Sequence, residues 1–244
     1  MSILKGQSII KSYEGTIILQ DVNVHLEEGE LVCLIGVSGS GKTTLFNILS
    51  GLDMPDGGQV FLNGQDITGK PGQISYMLQK DLLLPHKKTI DNVALPLLIR
   101  GYGKQAAREQ AKPFFCQFGL EGTEDKYPCQ LSGGMRQRAA LLRTYLASSG
   151  VALLDEPFSA LDAITKRALH KWYLGVMRQL GLTTLFITHD IDEAIFLSDR
   201  IYVLAEGGIS AEFMITENQK RSPEFALSPA FLDYKREILM HIGI

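Results

Sequence analysis

Cysteine is scarce in this sequence, long apolar runs are missing, and there is no excess of positive charge. The 244 residues hold three cysteines, Cys33, Cys116 and Cys129, with no C-x-x-C among them. They make no paired disulfide framework, which points to a reducing compartment. The longest apolar runs, such as Val93–Ile99, fall far short of the ~18 residues that cross a bilayer. Met1–Lys11 lacks the apolar core of a signal peptide. Lys and Arg number 24 against 27 Asp and Glu, a net charge of −3, so the basic excess usual in nucleic-acid binders is absent. No internal repeat and no low-complexity tract occurs. The expectation is a soluble intracellular protein that meets a membrane only through a partner.

What is present is ordinary globular material, 45% hydrophobic and 21% charged. A chain of this length can bury roughly 70–75% of its unfolded surface and needs no staples. Alternating residues predict strands over Gln7–Tyr13 and Thr16–Leu26, broken by Glu14-Gly15 and by Glu27–Glu30. Leu31–Ile35 is a short apolar run that ends in glycines, and Thr43–Ser50 then reads as a helix. A buried strand feeding a helix through glycines opens a parallel α/β unit. Gln59–Leu62 and Ile74–Met77 predict further strands. From Thr89 to about Ala147 the pattern is helical. Strands return at Val151–Leu154, Thr184–Thr188 and Arg200–Leu204, separated by helices over Ala163–Leu180 and Ile191–Leu197. A strand at Ile209–Ile215, a polar stretch and an amphipathic helix near Phe231–Ile242 complete the pattern. The whole reads as a single α/β domain, 1–244, interrupted by a helical insert at about 88–147 and followed by a tail at about 216–244.

Three segments carry chemistry. Gly36-Val37-Ser38-Gly39-Ser40-Gly41-Lys42-Thr43 fits G-x-x-x-x-G-K-[ST] between a buried strand and a helix, the context this phosphate-binding motif requires. Its glycines let backbone N–H groups turn inward on phosphate oxygens, and the helix N-terminus adds positive potential. Lys42 can reach the β- and γ-phosphates, and the Thr43 hydroxyl can ligate Mg2+. Val151–Leu154 is an apolar strand ending in Asp155-Glu156. Strand carboxyl ends line the ligand crevice of a parallel sheet, so Asp155 should face the phosphates and assist the metal. Glu156 is placed to orient an attacking water or take its proton. Read alone, an apolar strand followed by Asp-Glu is equally well a surface turn. Between these two segments lies Leu131-Ser132-Gly133-Gly134-Met135, in which Ser132 can cap a helix and Gly133-Gly134 allow close approach of the backbone to a ligand.

In its order and spacing, with Ser132 90 residues after Lys42 and 23 before Asp155, the sequence resembles the ATP-binding cassette (ABC) ATPases, whose signature is usually L-S-G-G-Q. Met135 departs from that Gln. The resemblance runs over about residues 5–215 and assigns further residues one at a time. It implies that Gln79 touches Mg2+ or water, that His189 contacts the γ-phosphate, and that Tyr13 stacks on adenine. It places Ser159-Ala160-Leu161-Asp162 at a dimer interface and adds Thr44 to the phosphate site. Bland readings stand beside these: Tyr13 as edge-strand packing, Ser159 as a helix cap, His189 as a structural histidine. The implied fold is a P-loop NTPase (RecA-like) core with an antiparallel β-subdomain and an inserted helical subdomain. The implied mode of action is a head-to-tail dimer with ATP sandwiched between one subunit's phosphate loop and the other's Ser132–Gly134.

The resemblance therefore implies an ATPase subunit of a multi-subunit transporter, peripheral on the inner face of a cell membrane. Its partners would be a second ABC subunit as a homodimer, transmembrane permease subunits and an extracytoplasmic substrate-binding protein, with no nucleic acid. Leu82–His86 and Thr89–Pro96 look most like importers of the nitrate, sulfonate, taurine and pyrimidine-precursor group. Export and lipoprotein-release ATPases share such segments and stand as the alternative, with DNA-repair or translation ATPases behind them. Leu82–Leu84 reads either as core of the insert or as a groove lining.

Overall fold

The computed structural model describes residues 2–148, 150–158, 163–216, 221–222 and 224–243. In chain order the strands are β1 (Ser2–Tyr13), β2 (Thr16–Glu27), β3 (Leu31–Ile35), β4 (Gly57–Leu62), β5 (Gln65–Asp66), β6 (Ser75–Met77), β7 (Val151–Asp155), β8 (Thr183–Ile187), β9 (Arg200–Ala205) and β10 (Gly208–Met214). The α-helices are α1 (Lys42–Leu49), α2 (Thr89–Val93), α3 (Leu95–Ile99), α4 (Lys104–Ala111), α5 (Phe114–Gln117), α6 (Gly133–Ala147), α7 (Ala163–Leu180), α8 (Ile191–Leu197) and α9 (Pro229–Ile242).

Six strands form one sheet in the order β10-β9-β3-β8-β7-β6, and β2-β1-β4-β5 form a second. Every pairing in the larger sheet is parallel except that of the edge strand β10 with β9. The smaller sheet is antiparallel throughout. The period of two along each core strand divides the interior into two layers. Cys33, Ile35, Leu154, Phe186 and Val203 face one core, shared with helices α2–α9. Val32, Leu34, Leu153, Leu185 and Leu204 face the other, where Leu45, Phe46, Ile48 and Leu49 of α1 are held between the two sheets. Strands covered on both faces must be apolar throughout, which is why β3 and β8 read as unbroken hydrophobic runs.

The helical stretch consists of four short helices, α2–α5, leading into the 15-residue α6. Ser132 caps α6 by accepting the N–H of Met135 at 3.3 Å. Two expectations needed correction in length only. β1 begins at Ser2 rather than Gln7, because a register shift between Gly6 and Ile9, with Ser8 at φ 48°, interrupts its alternation and hides the first half. α9 begins at Pro229, where Ser228 accepts the N–H of Phe231 and proline fits the first helical position. The Asn63-Gly64 turn joins β4 to β5 with φ of 51° and 76°, as a type I′ hairpin needs.

One charge cluster enters the core between the start of β9 and the turn before β3. Arg200, 8% exposed at the start of β9, donates through Nε to Glu30 at 2.8 Å and also pairs with Glu212. Arg200→Met would leave the buried Glu30 carboxylate without its cation, a loss of about 3–5 kcal/mol. Urea unfolding should therefore show a clearly lower midpoint for Arg200→Met. An unchanged midpoint would mean that the pair contributes nothing.

Candidate active site

The turn after β3 packs so tightly that a side chain cannot be built at its first residue. A Cβ on Gly36 would come within 2.3 Å of the Leu204 carbonyl oxygen and 2.9 Å of Ser40 Oγ. Gly41, at φ 101°, precedes α1 in the left-handed region, and its Cβ would meet Leu19 at 2.9 Å. No side chain caps α1, so the first-turn N–H groups of Lys42, Thr43 and Thr44 keep their capacity to bind an anion. Ser38 and Gly39 are exposed on the rim, while Ser40 Oγ is buried without a hydrogen-bond partner. The Lys42 ammonium donates back to the carbonyls of Gly36 at 2.8 Å and Val37 at 2.7 Å. The loop is thus a closed ring of backbone whose cation is held at its mouth.

Parallel order brings the other candidates to the same edge. β7 ends at Asp155, and Glu156 follows at φ 46°, a left-handed conformation that costs a residue of this type about 1–3 kcal/mol. The Glu156 N–H donates to the Ile187 carbonyl at 3.0 Å, which fixes the turn against β8. Gln79 Nε2 donates to Glu156 Oε2 at 2.8 Å. His189 Nδ1 lies 3.2 Å from Glu156 Oε1. A carboxylate only accepts, so Nδ1 carries the proton and Nε2 is left for another contact. Burial draws Lys42 below the usual lysine range, against the opposing charges of Glu156 and Asp155. Burial, with the neighbouring Glu156 charge second, pushes the Asp155 carboxyl above its ordinary value.

Tyr13 ends β1 at 45% exposure, and its hydroxyl donates to the Asp53 carboxylate. Lys11 lies over the ring, 5.0 Å from its centroid, and pairs with Asp53 at 2.9 Å. The Thr44 hydroxyl is among the groups acting on the Tyr13 phenol, so the ring borders the start of α1. Ser132, Gly133 and Gly134 open α6 on the surface. Among the described residues no hydrogen bond or ion pair joins them to the Lys42 and Glu156 group. Asp162, with Ser159 to Leu161, lies outside the described residues.

Several contacts were not foreseen. Arg136 and Arg143, seven apart on α6, both reach the segment after Gln79: Arg136 pairs with the Asp81 carboxylate at 3.3 Å, and Arg143 donates to the carbonyls of Asp81 at 2.6 Å and Leu82 at 2.9 Å. Their spacing on one helix face was the available signal. Gln137, buried, donates to the Pro157 carbonyl and so ties α6 to the residue after Glu156. Of the Leu82–Leu84 run, Leu83 is core, as one reading expected, and Leu82 is exposed.

The donor set suits a hard cation. A hydroxyl at Thr43, an amide at Gln79 and a carboxylate at Asp155 are oxygen ligands, and among the described residues no cluster of three or more His, Cys, Asp or Glu side chains forms a cage. Mg2+ uses one or two carboxylates together with substrate phosphates, so oxygen donors of this kind fit it.

The ABC transporter family profile matches residues 19–159. The formylaminopyrimidine import ATP-binding protein ThiZ of Halalkalibacterium halodurans is 45% identical over 186 residues, 76% of this chain and 72% of that protein. The nitrate import ATP-binding protein NrtD of Synechocystis sp. is 36% identical over 232 residues, 92% of this chain and 87% of that one. Among solved structures, an ATP-binding cassette captured as a dimer in a post-hydrolysis state with ADP and Pi superposes with a TM-score of 0.76 at 29% identity, covering 88% of this chain and 99% of that one.

The raised Asp155 carboxyl has a consequence for stability. The folded protein holds this proton more tightly than the unfolded chain, so the group's contribution is full below its ordinary value of 3.8 and is lost as pH rises through the higher folded value. Asp155→Asn should therefore melt above wild type at neutral pH, by a margin that closes as the pH is lowered to about 4. Equal melting temperatures at neutral pH would contradict the burial of this charge.

Proposed function

Because the chain belongs to the ABC transporter family, as an ATP-hydrolysing subunit that energises transmembrane transport, we propose that its site works through the residues gathered around Glu156 and that the transport it drives is import. The observation that carries the reading is the pair of contacts Gln79–Glu156 and His189–Glu156, at 2.8 and 3.2 Å, beside the Lys42 loop. A carboxylate steered from both sides and set next to a phosphate-binding turn is built to direct a water.

The backbone of Gly36–Gly41 and the N–H groups opening α1 hold the phosphates, with Lys42 leaving the Gly36 and Val37 carbonyls to meet the β- and γ-phosphates. Tyr13 stacks its exposed ring on adenine. Thr43, Gln79 and Asp155 would hold Mg2+, which when bound neutralises charge building between the β- and γ-phosphates. Glu156 orients the water and takes its proton as the water oxygen bonds to the γ-phosphorus and the bond to the β-phosphate oxygen breaks. With both ring nitrogens protonated, His189 keeps Nδ1–H on Glu156 and donates Nε2–H to a γ-phosphate oxygen.

Ser132 and Gly133 are exposed at the start of α6, and we assign them, with Gly134 and Asp162, to the facing site of a second copy in a homodimer. Among the described residues no helix is long and apolar enough to cross a membrane. Permease subunits would carry the solute, and the cassette would sit on the inner membrane face. The names of the relatives favour import of a small organic or inorganic solute, which brings an extracytoplasmic substrate-binding protein with it.

Glu156→Gln keeps the shape and removes the charge. Hydrolysis should fall by about 10²–10⁴-fold, the usual worth of a general base, while ATP binding survives. Less repulsion of the γ-phosphate should trap two subunits around ATP. At high protein concentration the variant should elute as a dimer with ATP and Mg2+ and as a monomer with ADP. Hydrolysis at the wild-type rate would remove Glu156 from the role of base.

A further inference from the structure

The turn that carries His189 is fixed from beneath by a buried carboxylate that the reading above does not use. Thr188, 2% exposed, donates its hydroxyl to Glu193 Oε2 and accepts the N–H of Asp190 at 3.1 Å. Glu193, 4% exposed, takes its second contact from His170 Nε2 at 2.8 Å, with Lys166 Nζ 3.8 Å away. Lys166 also lies 3.4 Å from the Asp190 carboxylate, and Asp190 accepts the N–H of Glu193 at 3.2 Å. Both neighbours of His189 are therefore anchored, while His189 itself is exposed and reaches Glu156.

Helix capping alone does not account for this. Glu193 occupies the third position of α8, where a Glu would normally reach back to the N–H of the capping residue. Here that N–H, on Asp190, is taken by the Thr188 hydroxyl, and the Glu193 carboxylate is turned inward to Thr188 and His170. Leaving a carboxylate buried is costly unless its partners repay it, so this geometry is held rather than sampled. His170 extends the chain of contacts. It sits on α7, and its ring meets Phe158 edge-on with centroids 4.8 Å apart, two residues beyond Glu156.

We propose that Glu193, acting through Thr188, is the positioning residue for His189, and that His170 joins this latch to the Glu156 turn. The proposal rests on the role given to His189 above. With the latch intact, Nδ1 of His189 stays on Glu156 and Nε2 is aimed at the phosphate. Without it, the 188–190 turn loses the tie that locks it to the protein interior, and the imidazole samples other directions.

The test compares Thr188→Val, which loses only the hydroxyl, with Thr188→Ser, which keeps it, and includes Glu193→Gln as a second disruption should Thr188→Val fold poorly. Two readouts are needed: steady-state ATP hydrolysis, and the ring signals of 15N-labelled histidine in the nucleotide-free protein, where five histidines must be resolved. Thr188→Val and Glu193→Gln should lower kcat by about 10–100-fold, the scale of a misplaced group, with KM for ATP little changed. They should also shift the His189 ring signal, and Thr188→Ser should restore both properties. An unmoved His189 signal in a folded Thr188→Val or Glu193→Gln protein would overturn the latch. A His189→Ala protein that hydrolyses at the wild-type rate would instead overturn the role of His189, whatever its ring signal shows in the other variants.

Discussion

The ammonium of Lys42 meets the carboxylates of Asp155 and Glu156 in a partly buried corner, where attraction between cation and carboxylates opposes the cost of burial and the Glu156 charge adds to that cost at Asp155. That meeting requires β3 and β7 to end at the same level of one sheet. Register supplies this: β8 lies between them, pairing Leu34 with Ile187 on one side and Asp155 with Ile187 on the other. Two packed layers fix that register, because a one-residue slip would exchange the side chains that each layer is fitted to. The site is therefore a consequence of how the core is packed.

Around this corner the structure invests in contacts that cross between elements. α6 reaches the segment after Gln79 through Arg136 and Arg143, and the residue after Glu156 through Gln137. α6, capped by Ser132, is thus tied to Asp81 and Leu82, which follow Gln79, and to Pro157, which follows Glu156. A second chain docking on Ser132 would press on a helix tied to the segments that follow Gln79 and Glu156.

Most of this was legible in the residues. β3, α7 and α8 fall where periodicity put them, because apolar runs bounded by Gly, Asp or Ser leave little choice. The phosphate loop was legible because its glycines answer a backbone need that the structure makes explicit at Gly36 and Gly41. Other features were hidden for physical reasons. The first half of β1 was masked by the irregularity at Ser8, which breaks the alternation a strand shows in sequence. The contacts of Glu193 join residues 5 and 23 positions apart, and nothing in the D-x-x-E spacing tells whether a glutamate caps its helix or turns inward. The Lys11–Asp53–Tyr13 group bridges 40 or more positions and could emerge only once β1 lay beside the segment after α1.

The central claim is that phosphate is held at the Gly36–Thr44 turn, with Lys42 as the cation the site depends on. Binding of a fluorescent ATP analogue to Lys42→Ala, compared with wild type by titration, tests it most directly. Removing the ammonium should abolish most of the affinity while leaving the fold intact, since Lys42 satisfies only the Gly36 and Val37 carbonyls in the free protein. A dissociation constant equal to that of wild type would mean that the phosphates lie elsewhere.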